Sequence, residues 1–587
     1  MSKIKKVVAM LLALTMVLGM GMTAFAANGK PESTDTIEVK ISGITKGAEV
    51  TLYQIASGKY QKSGVELIGY DWIEPNLFTE VTDETTNVKT VKPTANEIVE
   101  VGYRLQGKTV GEKLPLTAMN TWTDTVGADG TYTKSVTAGA YIAIISHDGE
   151  VYNPVLLSAT YGAEGNLTTD AVNVADGYLY GTQAVAKKTT PDVEKEVTGG
   201  TADETYNDKD GNPIQTASVG DVLTYTVTPT MPQYPVNALN KTFYIADRMT
   251  AGLTFIADSI QITIDDEVIT GAKNEKGIYT FTNNAGIVIA RAKSESLDGM
   301  NGFNLSFDYE KLQNSTSGAV ATPVVTYKAV VNEDAVVGKD GNNNDVDMFY
   351  AKDPSAGETW DDLDETPDGA EGVEKKEDQK IVYTYQVSFK KVQEDGQTPL
   401  AGAIFGIYDK DGKLVDQVTT NDEGYAVSTN VSAGTYTIKE LVAPTGYTLN
   451  TNSYTVTAEW TSATYEVTET VTDRTYTTEA PSKDAVQVGW IANGVFYVNK
   501  SDAPEGAKPA YLESTNTTTV KDGGTVTNDK AGAGAGTVLL GKNIPNTKLT
   551  SLPSTGGIGT TIFTIGGCLI MIAAAGLFFA SRRKSAK

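Results

Sequence analysis

Five side chains that could do chemistry stand where the pattern calls for apolar ones. Residues two apart share a face along a β-strand. Tyr383, Tyr385, Val387, Phe389 and Lys391 keep that period, which turns the Lys391 amine toward a core. Glu440 shares parity with Tyr436 and Ile438, and Asn546 with Ile544. Lys195 follows Val193 and precedes Val197, and Asp247 closes the set Phe243 and Ile245. An ionised amine or carboxylate in an apolar core is expensive, so desolvation lowers the lysine pKa and raises that of the acid. A neutral amine is a nucleophile, and a protonated carboxyl can polarise an amide carbonyl. An asparagine held against the amine adds the benefit of proximity. The trio can then exchange one amide for another, with ammonia leaving. The alternative for each lysine is to snorkel to solvent at a strand end.

The elements that must position these groups read as all-β. Runs such as Thr224-Tyr225-Thr226-Val227-Thr228 and Thr435-Tyr436-Thr437-Ile438-Lys439 alternate and are bounded by Gly, Asn, Asp and Pro. Such strands point to immunoglobulin-like β-sandwiches in tandem, and convincing amphipathic helices are scarce. The 587 residues suffice for three or four domains. The formal charge of −25 argues against a nucleic-acid partner. The one cysteine, Cys568, lies in an apolar run near the C-terminus, so no disulfide staples the rest. A single histidine, His147, argues against a zinc site or a histidine triad. No cofactor, no metal and no enzyme activity beyond self-cross-linking is therefore expected.

The two ends carry targeting signals. Lys3, Lys5 and Lys6 precede an apolar run from Val7, and Ala24-Phe25-Ala26 offers a cleavage site, so residues 1–26 read as a secretory signal peptide. Leu552-Pro553-Ser554-Thr555-Gly556 is followed by the apolar run Gly557 to Ala580 and by Arg582-Arg583-Lys584. The run is long enough for one membrane helix, and the basic tail fits a cytoplasmic stop. Residues 549–587 thus resemble the LPxTG sorting signal of Gram-positive surface proteins. The resemblance implies that a sortase thiolate attacks the Thr555 carbonyl, releases Gly556 onward and holds a thioester until an amine takes it. Pro553 pre-bends the substrate through its fixed φ.

Between the ends, residues 27–186 close with Ala138-Gly139-Ala140-Tyr141-Ile142-Ala143-Ile144 and Tyr152-Asn153-Pro154-Val155-Leu156, which look like the last strands of a pilin N-terminal domain. Residues 187–354 contain Ala217-Ser218-Val219-Gly220-Asp221 and Ala251-Gly252-Leu253-Thr254-Phe255 and resemble an isopeptide-forming fimbrial domain. In that family a core lysine bonds to an asparagine on the last strand, beside an aspartate. Here Lys352 stands at the expected asparagine position, so a second tie from Lys195, with Asp247 as helper, has Asn344 or Asp353 as its partner. Residues 355–380 read as an acidic, solvated linker; their carboxylate spacing matches no calcium loop. Residues 381–548 carry Pro399-Leu400-Ala401-Gly402-Ala403-Ile404-Phe405 and Glu440-Leu441-Val442-Ala443-Pro444-Thr445-Gly446-Tyr447 and resemble the collagen-adhesin B-type (CnaB) domain. That resemblance implies a bond from Lys391 to Asn546, with Glu440 shuttling protons. The stretch from about residue 483 to 541 reads as an insertion loop.

Taken whole, the chain resembles a Gram-positive pilus shaft subunit. The resemblance implies a secreted, wall-anchored protein whose partners are sortases of class C and of the housekeeping type, further copies of itself, peptidoglycan, and minor or tip pilins and host surface molecules. The acceptor amine is expected at the junction Lys187-Lys188-Thr189-Thr190-Pro191, on Lys187 or Lys188, in extended and flexible backbone. The alternative is a monomeric wall-anchored adhesin that binds a host glycoprotein or matrix protein.

Overall fold

The computed structural model describes residues 33–549, apart from 62–66, 83, 85–88, 92, 162–166, 169–177, 201–205, 208–212, 295–300, 315–318, 338–339, 459–463, 467–468, 482–484, 486, 521–524 and 528–536. The signal peptide, the Leu552 to Gly556 motif and the apolar run behind it lie outside the described residues. Among the described residues no helix is long and apolar enough to cross a membrane.

The first sheets are organised on Glu49–Tyr60, which pairs antiparallel with Gly139–Ser146, Asn120–Thr125 and Leu67–Trp72. Ile37–Ser42 lies antiparallel to Tyr132–Val136 and parallel to Gln183–Val185. Their inward residues Val39, Ile41, Val50, Leu52 and Tyr141 form one core with Leu157 of the strand Val155–Tyr161. A second core holds Ile55, Ile142, Ile98, Val101 and Leu105, the last three from the helix Ala95–Leu105. That helix departs from the sequence reading. Its signal is local: Thr94 and Glu97 form a reciprocal capping box, and apolar residues at 98, 101 and 105 fall on one face.

In the middle of the chain one hydrogen-bonded path runs from Asp192–Gly199 through Val222–Thr230, Val324–Val331 and Leu253–Ile264 to Asn301–Phe307, Phe243–Met249, Asn342–Ala351 and Val373–Tyr383. The path folds over a single core that includes Val193, Leu223, Tyr225, Val227, Phe243, Ile245, Phe303, Tyr327 and Val346. Residues 373–380, read in the sequence as the end of an acidic linker, belong to the strand Val373–Tyr383, which is antiparallel to Asn342–Ala351 over its length. From Glu374 to Lys380 the strand carries only charged and polar side chains, half-buried or exposed, so its composition resembles a linker.

The same backbone continues as Gln386–Gln393 into the last sandwich. There it pairs antiparallel with Tyr425–Val427 and parallel with Thr537–Leu539 and Ile544–Asn546. The facing sheet is Leu414–Thr419, Ile404–Tyr408, Gly434–Val442 and Ser453–Ala458. Phe389 and Phe405 meet across the layers with ring centroids 4.6 Å apart.

The described part of the expected insertion loop is ordered as strands. Gln487–Ala492, Val495–Tyr497 and Lys508–Val520 form a sheet with Glu469–Thr477. It reaches the middle domain: Phe496 packs on the middle core, and Val498 N–H donates to the Gly220 carbonyl at 3.0 Å. Gly220 has φ +86°, and a Cβ there would lie 2.9 Å from the Phe496 ring and 2.6 Å from Val498. Gly220→Ala should therefore add roughly 1–2 kcal/mol of left-handed strain and lift the sheet from its seat. Trypsin cleavage after Lys500 should accelerate in that variant; an unchanged rate would mean that the contact does not hold the sheet.

Candidate cross-linking sites

The C-terminal cluster is built by strand alternation. Lys391 and Asn546 stand on neighbouring parallel strands, with Lys391 opposite Ile544 and Gln393 opposite Asn546. Glu440 comes from the facing sheet. Lys391 is fully buried, and Asn546 and Glu440 nearly so. The Lys391 Nζ donates to Asn546 Oδ1 at 2.5 Å and to the Ile544 carbonyl at 3.0 Å. Asn546 Nδ2 donates to Glu440 Oε1 at 2.9 Å, and that oxygen is 3.7 Å from the amine. The other carboxylate oxygen accepts from the Asn450 N–H at 2.6 Å. Burial pushes the Lys391 amine down to about 8 against the pull of Glu440. Burial also raises the Glu440 carboxyl, opposed by the Asn450 N–H and by Lys391. The carboxyl faces the amide nitrogen, whereas the sequence reading had an acid polarising the carbonyl. The amine already occupies the Oδ1 side, so the acid is left beside the group that would depart.

The middle cluster is fully enclosed. Lys195, Asp247 and Asn344 each expose 0% of their surface. The Lys195 Nζ donates to Asp247 Oδ2 at 2.6 Å and to Asn344 Oδ1 at 2.7 Å. Asp247 lies on Phe243–Met249, between Asn301–Phe307 and the strand carrying Asn344. The amine also stands over the rings of Tyr225 and Tyr327, 5.4 and 5.7 Å from their centroids. Burial lowers the Lys195 pKa and raises that of Asp247, each opposed by the attraction of the other.

Of the two partners weighed for Lys195, Asn344 is in the cluster and Asp353 is not. Asp353 accepts from the backbone and hydroxyl of Ser355, and Lys352 pairs with Asp148 at 2.9 Å. The sequence reading placed the partner strand too late. Asn342–Ala351 crosses the core with Asn344, Val346 and Met348 inward. Sequence reasoning missed Tyr327, whose hydroxyl joins this cluster: Asn344 Nδ2 donates to Tyr327 Oη at 3.1 Å, and Oη donates to Asp247 Oδ2 at 2.5 Å. The available signal was the inward run Val325, Tyr327, Ala329 and Val331, because a buried tyrosine hydroxyl needs a polar partner.

The junction lysines are not on flexible backbone. Lys188–Thr189 is a strand antiparallel to Val151–Tyr152, and the Lys187 carbonyl accepts from Asn153 N–H at 3.1 Å. The Lys188 amine bonds to Glu150 Oε1 at 2.5 Å and to the Thr45 hydroxyl. Partial burial pulls its pKa down, but its hydrogen bond to Glu150 together with the charges of Tyr152 and Glu150 raises it above the ordinary value. The Lys187 side chain is exposed. Among the described residues no group of three or more His, Cys, Asp or Glu is arranged to hold a metal ion.

The chain and its domains have relatives. A T6 antigen Ig-like domain model matches residues 34–188, a prealbumin-like fold domain model residues 385–475, and an LPXTG cell wall anchor motif residues 544–587. The trypsin-resistant surface T6 protein of Streptococcus pyogenes serotype M6 is 41% identical over 583 residues, covering 98% of this chain and 99% of that one. The solved T6 backbone pilin of serotype M6 Streptococcus pyogenes, described as a modular three-domain structure, is 38% identical with a TM-score of 0.67, over 88% of this chain and 99% of that one. The chain belongs to this backbone-pilin family. It is a structural pilus subunit of the Gram-positive surface, anchored to the cell wall and built of Ig-like and prealbumin-like β domains.

Proposed function

We propose that this pilin is a self-cross-linked link in a covalent shaft. The observation that carries the reading is the meeting of a desolvated lysine, a carboxyl and an asparagine in two separate cores. In the C-terminal core, neutral Lys391 Nζ attacks Asn546 Cγ. One amine proton passes to Glu440 and on to Nδ2, the Cγ–Nδ2 bond breaks, ammonia leaves, and a Lys391–Asn546 amide remains. Lys195 and Asn344 react likewise with Asp247 as the acid–base group. The two ties close loops spanning sequence separations of 149 and 155 residues. By loop-closure reasoning each removes about 5 kcal/mol of unfolded-state freedom. The domains of this reading are 27–186, a middle sandwich from 187 that includes the strand ending at Tyr383, and a last sandwich up to about residue 548.

Between subunits, a class C sortase would cleave Thr555–Gly556 and pass the Thr555 acyl group to a lysine of another copy, and a housekeeping sortase would join the finished polymer to peptidoglycan. Lys187 is the favoured acceptor at the junction: both lysines are exposed, and the Lys188 amine must first leave Glu150. Lys195 is excluded by its burial.

Peptide mapping of the full chain should yield two branched peptides, Lys195 with Asn344 and Lys391 with Asn546, each lighter than its parts by one ammonia. Glu440→Ala should remove the second and leave the first; linear Lys391 and Asn546 peptides from the wild type would refute the C-terminal tie. Lys187→Arg keeps the charge but not the nucleophile. Cells carrying it should display wall-linked monomer without SDS-resistant ladders, as should the Lys187→Arg/Lys188→Arg double variant. Ladders in the double variant would move the acceptor away from this junction.

A further inference from the structure

The two clusters treat the nitrogen that must leave in different ways. In the C-terminal cluster it donates straight to the carboxyl, Asn546 Nδ2 to Glu440 Oε1 at 2.9 Å. In the middle cluster the acid is an aspartate, one methylene shorter, and it lies against the amine at 2.6 Å. Asn344 Nδ2 donates instead to Tyr327 Oη at 3.1 Å, and Oη donates to the same Asp247 oxygen at 2.5 Å. The other Asp247 oxygen, Oδ1, is buried without a hydrogen-bond partner among the described residues. Among the described residues, the hydrogen-bonded path from the acid to the departing nitrogen runs through the Tyr327 hydroxyl.

We propose that Tyr327 is a catalytic residue of the middle domain's self-cross-linking, handing on to Asn344 the proton that Asp247 takes from Lys195. This rests on the reading that Lys195 and Asn344 form an amide. Nζ attacks Asn344 Cγ, and a proton moves from Nζ to Asp247 Oδ2. As Asp247 returns that proton to Tyr327 Oη, the hydroxyl releases its own to Nδ2. The Cγ–Nδ2 bond breaks, ammonia departs, and Asp247 and Tyr327 regain their starting protonation. Nothing outside the cluster is consumed.

The surroundings suit a relay. Tyr327 is fully buried, and its ring is held by stacking on Tyr225 at 5.5 Å and by edge contacts with Phe303 at 5.0 Å and Phe255 at 6.0 Å. Burial first, and then the Asp247 charge, raise the phenol pKa well above its ordinary value, so the hydroxyl passes protons without resting as a phenolate.

Tyr327→Phe keeps the ring contacts and removes only the hydroxyl. In a pulse-chase of the full chain, peptide mapping would follow the Lys195–Asn344 branched peptide, with Lys391–Asn546 as the internal clock of the same molecules. Positioned proton transfer contributes about 10²–10⁴-fold, so the first bond should slow by about 10²-fold or more while the second keeps its wild-type rate. Trypsin resistance of residues 192–351, read in parallel, reports whether the middle domain is folded. A slow bond in a resistant domain supports the relay. Equal rates in variant and wild type would overturn it, as would slowing confined to a trypsin-sensitive chain. A wild type without the Lys195–Asn344 peptide would overturn the cross-link reading itself, and the relay with it.

Discussion

The structure depends on amines that have lost their water. An ionised lysine inside an apolar core is costly, and pairing with a carboxylate seldom compensates in full. In both clusters the folded sandwich removes solvent from the amine and sets a carboxyl and an asparagine beside it. Desolvation then works toward chemistry: it favours the neutral, nucleophilic amine and the protonated acid. The proposed reaction would turn the buried amine into part of a neutral amide, which would remove the reason the lysine was unfavourable there. Packing of ordinary residues, such as Phe389 on Phe405 and Tyr225 on Tyr327, supplies the precision.

Much of this was legible in the sequence because strands encode orientation in parity. Lys391, Glu440 and Asn546 each shared a face with apolar neighbours, and so did Lys195 and Asp247. All five reached the cores that parity indicated. Register between distant strands is another matter. Choosing Asn344 over Asp353 required knowing which stretch lies opposite Phe243–Met249, and no local pattern carries that. Tyr327 was hidden for the same reason: its inward face could be read, but not its neighbours. Residues 373–380 show the limit of composition, since charge on a half-exposed edge strand looks like a solvated linker. The helix Ala95–Leu105 could have been found from Thr94 and Glu97 alone.

The placement of the clusters gives the shaft its mechanical sense. Lys195 lies close after the 187–188 junction, and Asn546 lies shortly before Thr555. Between Asn344 and Lys391, the strand Val373–Tyr383 runs directly into Gln386–Gln393. With both ties formed, tension entering at the junction passes from Lys195 to Asn344, along that backbone, and from Lys391 to Asn546. The bulk of both sandwiches is bypassed. The sheet seated on Gly220 braces the same pair of domains from the side.

Stretching the chain between handles at residues 188 and 549 in a single-molecule force measurement tests that path most directly. The loops closed by the two pairs span sequence separations of 149 and 155 residues. At about 3.4 Å per residue, each would release roughly 50 nm if its domain unfolded without a tie. The expected trace shows neither step up to rupture of the handles. Two steps of about 50 nm in the wild-type chain would contradict the account.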